Sequence, residues 1–429
     1  MGINKIQNLD LIIQKHIGLN YRKYLFGTVS LIIERAFRLF INLFVTAWVA
    51  RCLGPSNFGS LNYTLSIVAI YLVLTKFGID QLLTKSLTEN KIEAKKLISN
   101  AIFLKVGGSL IILPLFLLII QPLEKNDTEI LLISVLGIGS AFRAFEVLES
   151  YYYANNLAKK IAYSQALQSL IVNTAKLILV YYKCELFYIG LVYILEYLLY
   201  GFFLNLFLKE SQFNLKVLDL KLILKFLKEG LPLLMTGLAT TLYSRVDQIM
   251  IQQILESSET GNYAAAVRIH EAWLFIPIYI CNSLFPSIFR GYAQKQDQRK
   301  KLIKLYALLF TLTTVASLFF LQFSNVVIEL IYESKYIQST QILQILSFSS
   351  VFFAVNLITN RNDILHEQNY RILSRSVVGM LTNIILNLYL IEIYGVTGAA
   401  IATLITLFIV SVVGVMHSVF VSEKCTSCS

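Results

Sequence analysis

Twelve long apolar stretches run along the chain, at residues 24–50, 59–79, 101–121, 129–153, 161–181, 186–208, 231–251, 262–289, 305–322, 337–359, 376–392 and 397–421. A helix needs about 20 apolar residues to cross a hydrocarbon layer about 30 Å thick. The pattern therefore predicts an all-α polytopic membrane protein with about 12 transmembrane helices. The first, fifth and tenth stretches are more polar than a lipid-facing helix. Segment 323–336 is short and amphipathic and is expected to be an interfacial loop. Ile3, Ile6, Leu9 and Ile13 recur at helical spacing and predict a short N-terminal helix lying on the cytoplasmic surface.

Composition agrees. Of 429 residues, 56% are hydrophobic and 15% charged, against about 25% charged in soluble domains. That excludes an ordinary soluble enzyme. The net charge of +11 reports orientation rather than nucleic-acid binding. With the N-terminus placed inside, 26 of the 37 Lys and Arg fall in inside segments. Only Arg51, Lys125, Lys183 and Lys335 fall outside, and seven lie within spans. Cytoplasmic loops collect Lys and Arg, so both termini are expected in the cytoplasm. Segment 209–230 sets Lys216, Lys221, Lys225 and Lys228 among Leu and Ile, the pattern of an amphipathic helix on an anionic leaflet. It divides the chain into an N-terminal six-helix lobe (1–208), a cytoplasmic amphipathic linker (209–230) and a C-terminal six-helix lobe (231–429). A faint repeat supports the division. Leu53-Gly-Pro-Ser-Asn-Phe-Gly59 and Leu255-Glu-Ser-Ser-Glu-Thr-Gly261 share Leu, Ser and Gly at a shift of 202.

The charges within spans carry the functional signal, because a charge in the bilayer centre is costly and usually faces a bundle interior or aqueous cavity. The basic ones are Arg35, Arg38, Lys105, Arg143, Lys176, Arg245 and Arg268. Lys105, near the start of its span, is expected to snorkel to the interface. The pairs Glu34/Arg38, Arg143/Glu146 and Arg268/Glu271 have the spacing of same-face neighbours. Asp247 lies two residues from Arg245, so those two do not bridge within their helix. Arg35, Arg38, Arg143, Lys176, Arg245 and Arg268 come from both halves. Together they predict a cationic cavity between the lobes, suited to a cargo with an anionic head because guanidinium forks match phosphate. Asp247 and Glu271 are candidates for ion coupling.

No other chemistry emerges. The sequence has no Walker loop, no H-E-x-x-H and no G-x-S-x-G. The five cysteines and four histidines are scattered, and the lone pair Cys425 and Cys428 is read as incidental. No catalytic residue, metal site or cofactor is expected.

Several motifs carry a family resemblance. They are Arg51-Cys-Leu-Gly-Pro-Ser-Asn-Phe-Gly59 with Leu61-Asn62-Tyr63, Phe77-Gly-Ile-Asp80, and Ser244-Arg-Val-Asp-Gln-Ile-Met-Ile251. Gly261-Asn-Tyr-Ala-Ala-Ala-Val-Arg268, Phe285-Pro286 and Tyr394-Gly-Val-Thr-Gly-Ala-Ala-Ile-Ala402 follow in order. In these, and in length and span count, the chain resembles the bacterial polysaccharide or O-antigen flippases (Wzx-type) of the MOP exporter superfamily. The resemblance implies two six-helix lobes in a V around a central cavity. It implies a multi-pass protein of the bacterial cytoplasmic (inner) membrane that works without ATPase activity, in lipopolysaccharide or other surface-polysaccharide assembly. The implied cargo is an oligosaccharide on undecaprenyl pyrophosphate, moved from the cytoplasmic to the periplasmic leaflet by alternating access. Membrane lipids, a polysaccharide polymerase and chain-length machinery are the implied partners. The alternatives are a cation-coupled drug exporter of the same superfamily, for which a cationic cavity is the wrong polarity, and a membrane enzyme of polysaccharide assembly, for which the outside loops are too short.

Overall fold

The computed structural model describes residues 19–89, 92–124, 126–183, 185–208, 213–289, 295–366 and 368–426. Among them there are helices and no strands. The N-terminal stretch through residue 18 lies outside the described residues, as do the side chains of Glu34 and of the C-terminal cysteine pair.

The helices of the first half are α1 (Leu19–Lys76), α2 (Ile79–Glu89), α3 (Ala94–Ile120), α4 (Asp127–Gly139), α5 (Val147–Ala154), α6 (Ala158–Tyr181) and α7 (Leu186–Leu206). Those of the second are α8 (Leu220–Ile254), α9 (Ser257–Phe289), α10 (Lys295–Tyr332), α11 (Ser339–Leu365), α12 (Asn369–Tyr394) and α13 (Val396–Thr426). Nine helical stretches among the described residues are long and apolar enough to cross a membrane. One of them, Arg35–Glu89, has 55 residues. At about 1.5 Å per residue it is more than twice as long as a bilayer core is thick. It is broken at Gly54, whose φ of 71° no ordinary helical residue adopts, followed by Pro55. Helices α6 and α8, of 24 and 35 residues, have membrane length but a more polar composition. For α6 this matches the polarity already visible in the fifth predicted span.

Four sequence expectations are overturned. Segment 323–336 is not a loop through most of its length: α10 continues to Tyr332 and ends only where Glu333 takes a φ of 68°. Segment 360–375, counted as an inside segment between two spans, is helical through Leu365 and again from Asn369. It contains neither Gly nor Pro, so no helix-breaking residue ends α11 at the predicted boundary, and within the segment Asp363 pairs with Arg375. Finally, Lys105 does not snorkel. It is 4% exposed and its Nζ meets Asp80 Oδ1 at 2.5 Å. The amphipathic stretch after residue 220 is likewise not separate, since α8 carries it unbroken into the seventh predicted span.

In the first half α1 packs on α6, α6 on α7 and α2 on α5; in the second α10 packs on α11, α11 on α13, and α12 on both α13 and α8. The two groups meet where α1 lies along α9 and α8. Small residues permit that approach. A Cβ on Gly59 would collide with the Ser257 carbonyl, and one on Gly261 with the Pro55 carbonyl. Polar links fasten the same end. Arg51 Nε donates to Ile331 O at 2.9 Å, Tyr336 Oη to Ala50 O at 2.8 Å, Ser66 Oγ to Gln248 Oε1 at 2.8 Å, and Gln253 Nε2 to Tyr63 Oη at 2.7 Å. Tyr63 in turn donates to Glu124.

Candidate functional site

Below that fastened end, two adjoining cavities of about 230 and 330 Å³ share Arg38, Gln168 and Glu196 as walls. The smaller is lined by Asn42, Gln168, Ser169 and Asn173, with Arg38, Lys176 and Arg268 as its cations. The larger adds Lys76 and Arg143, faced by Glu146 and Glu149. Five cations thus oppose three carboxylates across the pair, an excess of positive charge among helices of membrane length.

Helix geometry places these groups. Gln168, Ser169, Val172, Asn173 and Lys176 recur at three- and four-residue steps and present one polar stripe of α6 to the cavity. Asn173 Nδ2 donates to Asn42 Oδ1 on α1 at 2.7 Å, and Ser169 Oγ to the same oxygen at 3.3 Å. Lys176 is 8% exposed. Its Nζ lies 3.8 Å from Glu196 Oε2 and 4.2 Å over the Tyr193 ring. Arg143 sits in the 3-10 segment Ser140–Glu146 between α4 and α5. Its Nε meets Glu146 Oε1 at 2.5 Å, and its guanidinium lies 5.1 Å over Tyr197. Lys76 approaches the other Glu146 oxygen at 3.6 Å. Tyr200 donates to Glu149 and accepts from Gln165 Nε2 at 3.0 Å. Arg268, from the second helix group, donates to Asn62 Oδ1 at 3.1 Å across the seam.

Four of the six expected cations, Arg38, Arg143, Lys176 and Arg268, therefore line the cavities, while Arg35 and Arg245 do not. Arg35 is exposed and stacks 5.9 Å over Tyr279. Arg245 pairs with Glu271 at 3.4 Å. Glu271 thus has a partner on another helix rather than Arg268 at its own i−3 position, because Arg268 turns toward Asn62. Lys76 was missed: at the end of the second apolar stretch it was counted with the inside charges, and α1 runs to it.

Asp247 lies apart from the cavities. It is 4% exposed and held by three donors: Tyr263 Oη at 2.6 Å, Thr403 Oγ1 at 2.6 Å and Asn387 Nδ2 at 2.7 Å. Asn387 Nδ2 also donates to Asn383 Oδ1 at 3.0 Å. Among the described residues no cation pairs with Asp247. Its hydrogen-bond partners are neutral donors alone. The sequence marked Asp247 but gave no sign that Asn383, Asn387 and Thr403 surround it, since they lie more than 130 residues away.

A model of the family described as "Polysaccharide biosynthesis protein" matches residues 27–292. The probable low-salt glycan biosynthesis flippase Agl15 of Haloferax volcanii is 25% identical over 185 residues, covering 42% of this chain and 39% of that protein. The match thus spans about two fifths of that relative. Among solved structures, the lipid II flippase MurJ in an inward closed conformation superposes with a TM-score of 0.75 at 16% identity, over 91% of this chain and 87% of that one. An inward-facing multidrug resistance MATE family transporter of the MOP superfamily superposes with a TM-score of 0.68 at 14% identity, over 91% and 96%. At these identities the two structures share the fold.

Proposed function

The chain belongs to the polysaccharide biosynthesis protein family, and from that premise we propose that it is a flippase for a lipid-linked oligosaccharide. The observation that carries the reading is the surplus of cations lining a polar cavity at the seam, where the two helix groups meet. Such a cavity accommodates a diphosphate and a hydrated glycan while a polyprenyl tail stays in the lipid. Undecaprenyl pyrophosphate is the carrier proposed. Arg38, Lys76, Arg143, Lys176 and Arg268 bind the diphosphate, and the amides and hydroxyls of the α6 stripe meet the sugar. Twelve crossings, cytoplasmic termini, six-helix lobes at 1–208 and 231–429, and residence in a bacterial cytoplasmic membrane complete the reading. A polymerase and chain-length machinery act downstream on the delivered glycan.

Alternating access requires the fastened end to open while the cytoplasmic end closes. Asp247 is the proposed coupling group. Charge balance at its enclosed carboxylate, by a proton or a sodium ion, couples the packing of α8, α9, α12 and α13 to ion uptake. Glu271, tied to Arg245 and exposed, is the weaker candidate.

Proteoliposomes carrying a fluorescent polyprenyl-diphosphate oligosaccharide test the assignment through its accessibility to an external quencher. The wild-type protein is expected to move the lipid between leaflets, and Arg143→Gln and Arg268→Ala to abolish movement at normal insertion. Wild-type vesicles no faster than empty ones, or variants as fast as wild type, overturn it.

A further inference from the structure

A second basic cleft lies inside the later helix group and shares no residue with the central cavity. It has a volume of about 310 Å³ between α8, α11, α12 and α13. Two arginines line it, Arg361 and Arg375, with Asn356, Asn360, Thr240 and Ser376 as neutral hydrogen-bonding groups.

Arg375 is 2% exposed. Its Nη2 meets Asp363 Oδ2 at 2.5 Å and Asn360 Oδ1 at 2.6 Å. Its Nε and Nη1 have no hydrogen-bond partner, nor has the buried Asn356 Oδ1. Unmet donors on a buried guanidinium are costly, and each of the two is a charge-assisted donor suited to a phosphate oxygen. Asp363 offsets one of the two arginines, and Arg361 pairs with no carboxylate among the described residues. The surplus is one positive charge, which one phosphodiester balances.

Depth and lining point to a lipid. Arg375 is six residues into α12, about 9 Å from its start at 1.5 Å per residue, within the first two turns of a helix long and apolar enough to cross a membrane. The other walls are apolar: Leu357, Ile364, Ile372 and Val410, with Ile364 51% exposed. Gly379 keeps the cleft open, since a Cβ there would stand 3.0 Å from Val410 Cγ2 and 3.6 Å from Tyr243 Cδ2. Basic pockets between membrane helices on the cytoplasmic side suit anionic head groups. We propose that this cleft binds one anionic glycerophospholipid, its phosphodiester on Arg361 and Arg375 and its acyl chains leaving over Ile364 and Ile372. The side of the membrane rests on the topology proposed above; the binding itself does not.

Native mass spectrometry of the full chain in detergent, with added dioleoyl phosphatidylglycerol or dioleoyl phosphatidylcholine, tests this. One phosphatidylglycerol is expected to stay bound, and phosphatidylcholine to be lost. Arg361→Gln, which leaves the buried Arg375–Asp363 pair intact, and Gly379→Leu, which fills the cleft, are each expected to weaken retention about tenfold, the size of one charge-assisted hydrogen bond. Arg268→Ala, in the central cavity, leaves retention unchanged, so failure of the flippase reading is distinguishable from failure here. Equal retention of the two lipids overturns the site, as does undiminished retention by Arg361→Gln. Inorganic phosphate alone raising the thermal midpoint as much as phosphatidylglycerol does overturns the lipid assignment in favour of a free anion.

Discussion

Gly59 and Gly261 lie on opposite sides of one seam and do the same thing: Gly59 sits against the backbone of Ser257, and Gly261 against that of Pro55. These contacts exchange under the 202-residue shift that relates the two turns, because 55 maps onto 257 and 59 onto 261. The faint sequence repeat is therefore a twofold contact in space. Each glycine is required because a Cβ would meet the carbonyl of the other half.

A substitution there acts on the seam. Gly59→Val and Gly261→Val are each expected to destabilise the closed packing by about 1–3 kcal/mol, the usual cost of overpacking. A cysteine placed at Ser60, whose Oγ lies 3.4 Å from Ser257 Oγ, reports it by faster labelling with an impermeant maleimide. An unchanged labelling rate in both variants sinks this account of the seam.

The cavity geometry separates two arginines that the sequence ranked together. Arg268→Ala is expected to lower oligosaccharide translocation at least tenfold. Arg245→Ala is expected to lower it only a few-fold, because Arg245 pairs with Glu271 away from the cavity walls. Equal losses in the vesicle assay contradict the placement.

Lys105 depends on Asp80, the last residue of the Phe77-Gly-Ile-Asp80 motif. Removing one partner of a buried pair costs about 3–5 kcal/mol. Asp80 is 40% exposed, so Asp80→Ala is expected to cost no more than the lower end of that range, read as a reduced thermal midpoint. Asp80→Ala/Lys105→Met should recover most of it. A double variant as unstable as the single one shows that the pair is not what matters there.

If Asp247 takes up a cation, sodium should stabilise the wild-type protein through preferential binding to the folded state, and Asp247→Asn should abolish that response. Thermal unfolding in sodium against choline chloride gives the answer. A sodium response retained in Asp247→Asn excludes this site.

Asp219 offers a pH test outside the membrane. It caps α8 through Lys221 N, and Lys96 Nζ lies 2.7 Å from its carboxylate. The hydrogen bond from Lys96 holds its carboxyl below the usual carboxylate range. A depressed value means that the contribution is present above the ordinary pKa of about 4 and disappears as pH falls through the lowered one. Asn also caps helices well, so Asp219→Asn isolates the charge. Its stability deficit should be present near neutral pH and vanish in acid. A deficit independent of pH assigns the effect to packing.

The loop reading went wrong where charged residues sat at helix ends. Arg361 and Arg375 looked like orientation charges because nothing local shows that Asp363 lies opposite Arg375 on the next helix. Lys76 was counted with the inside charges because it lies at the very end of the second apolar stretch. Lys105 was assigned to the interface because Asp80 is 25 residues away. In each case the missing information was the partner's position across a helix–helix contact, which no periodicity encodes.

The sequence by itself determined the membrane-protein class, the all-helical fold and the small set of charges too costly to leave facing lipid. Those follow from local physics: apolar length against bilayer thickness, helical spacing, and the free energy of a charge in hydrocarbon. Only the tertiary structure decided which charges share a cavity, which neutralise each other, and which, like Asp247, stand among neutral donors. Such outcomes depend on distances of a few ångströms between helices far apart in the chain, and the energy of a buried charge is set by those neighbours.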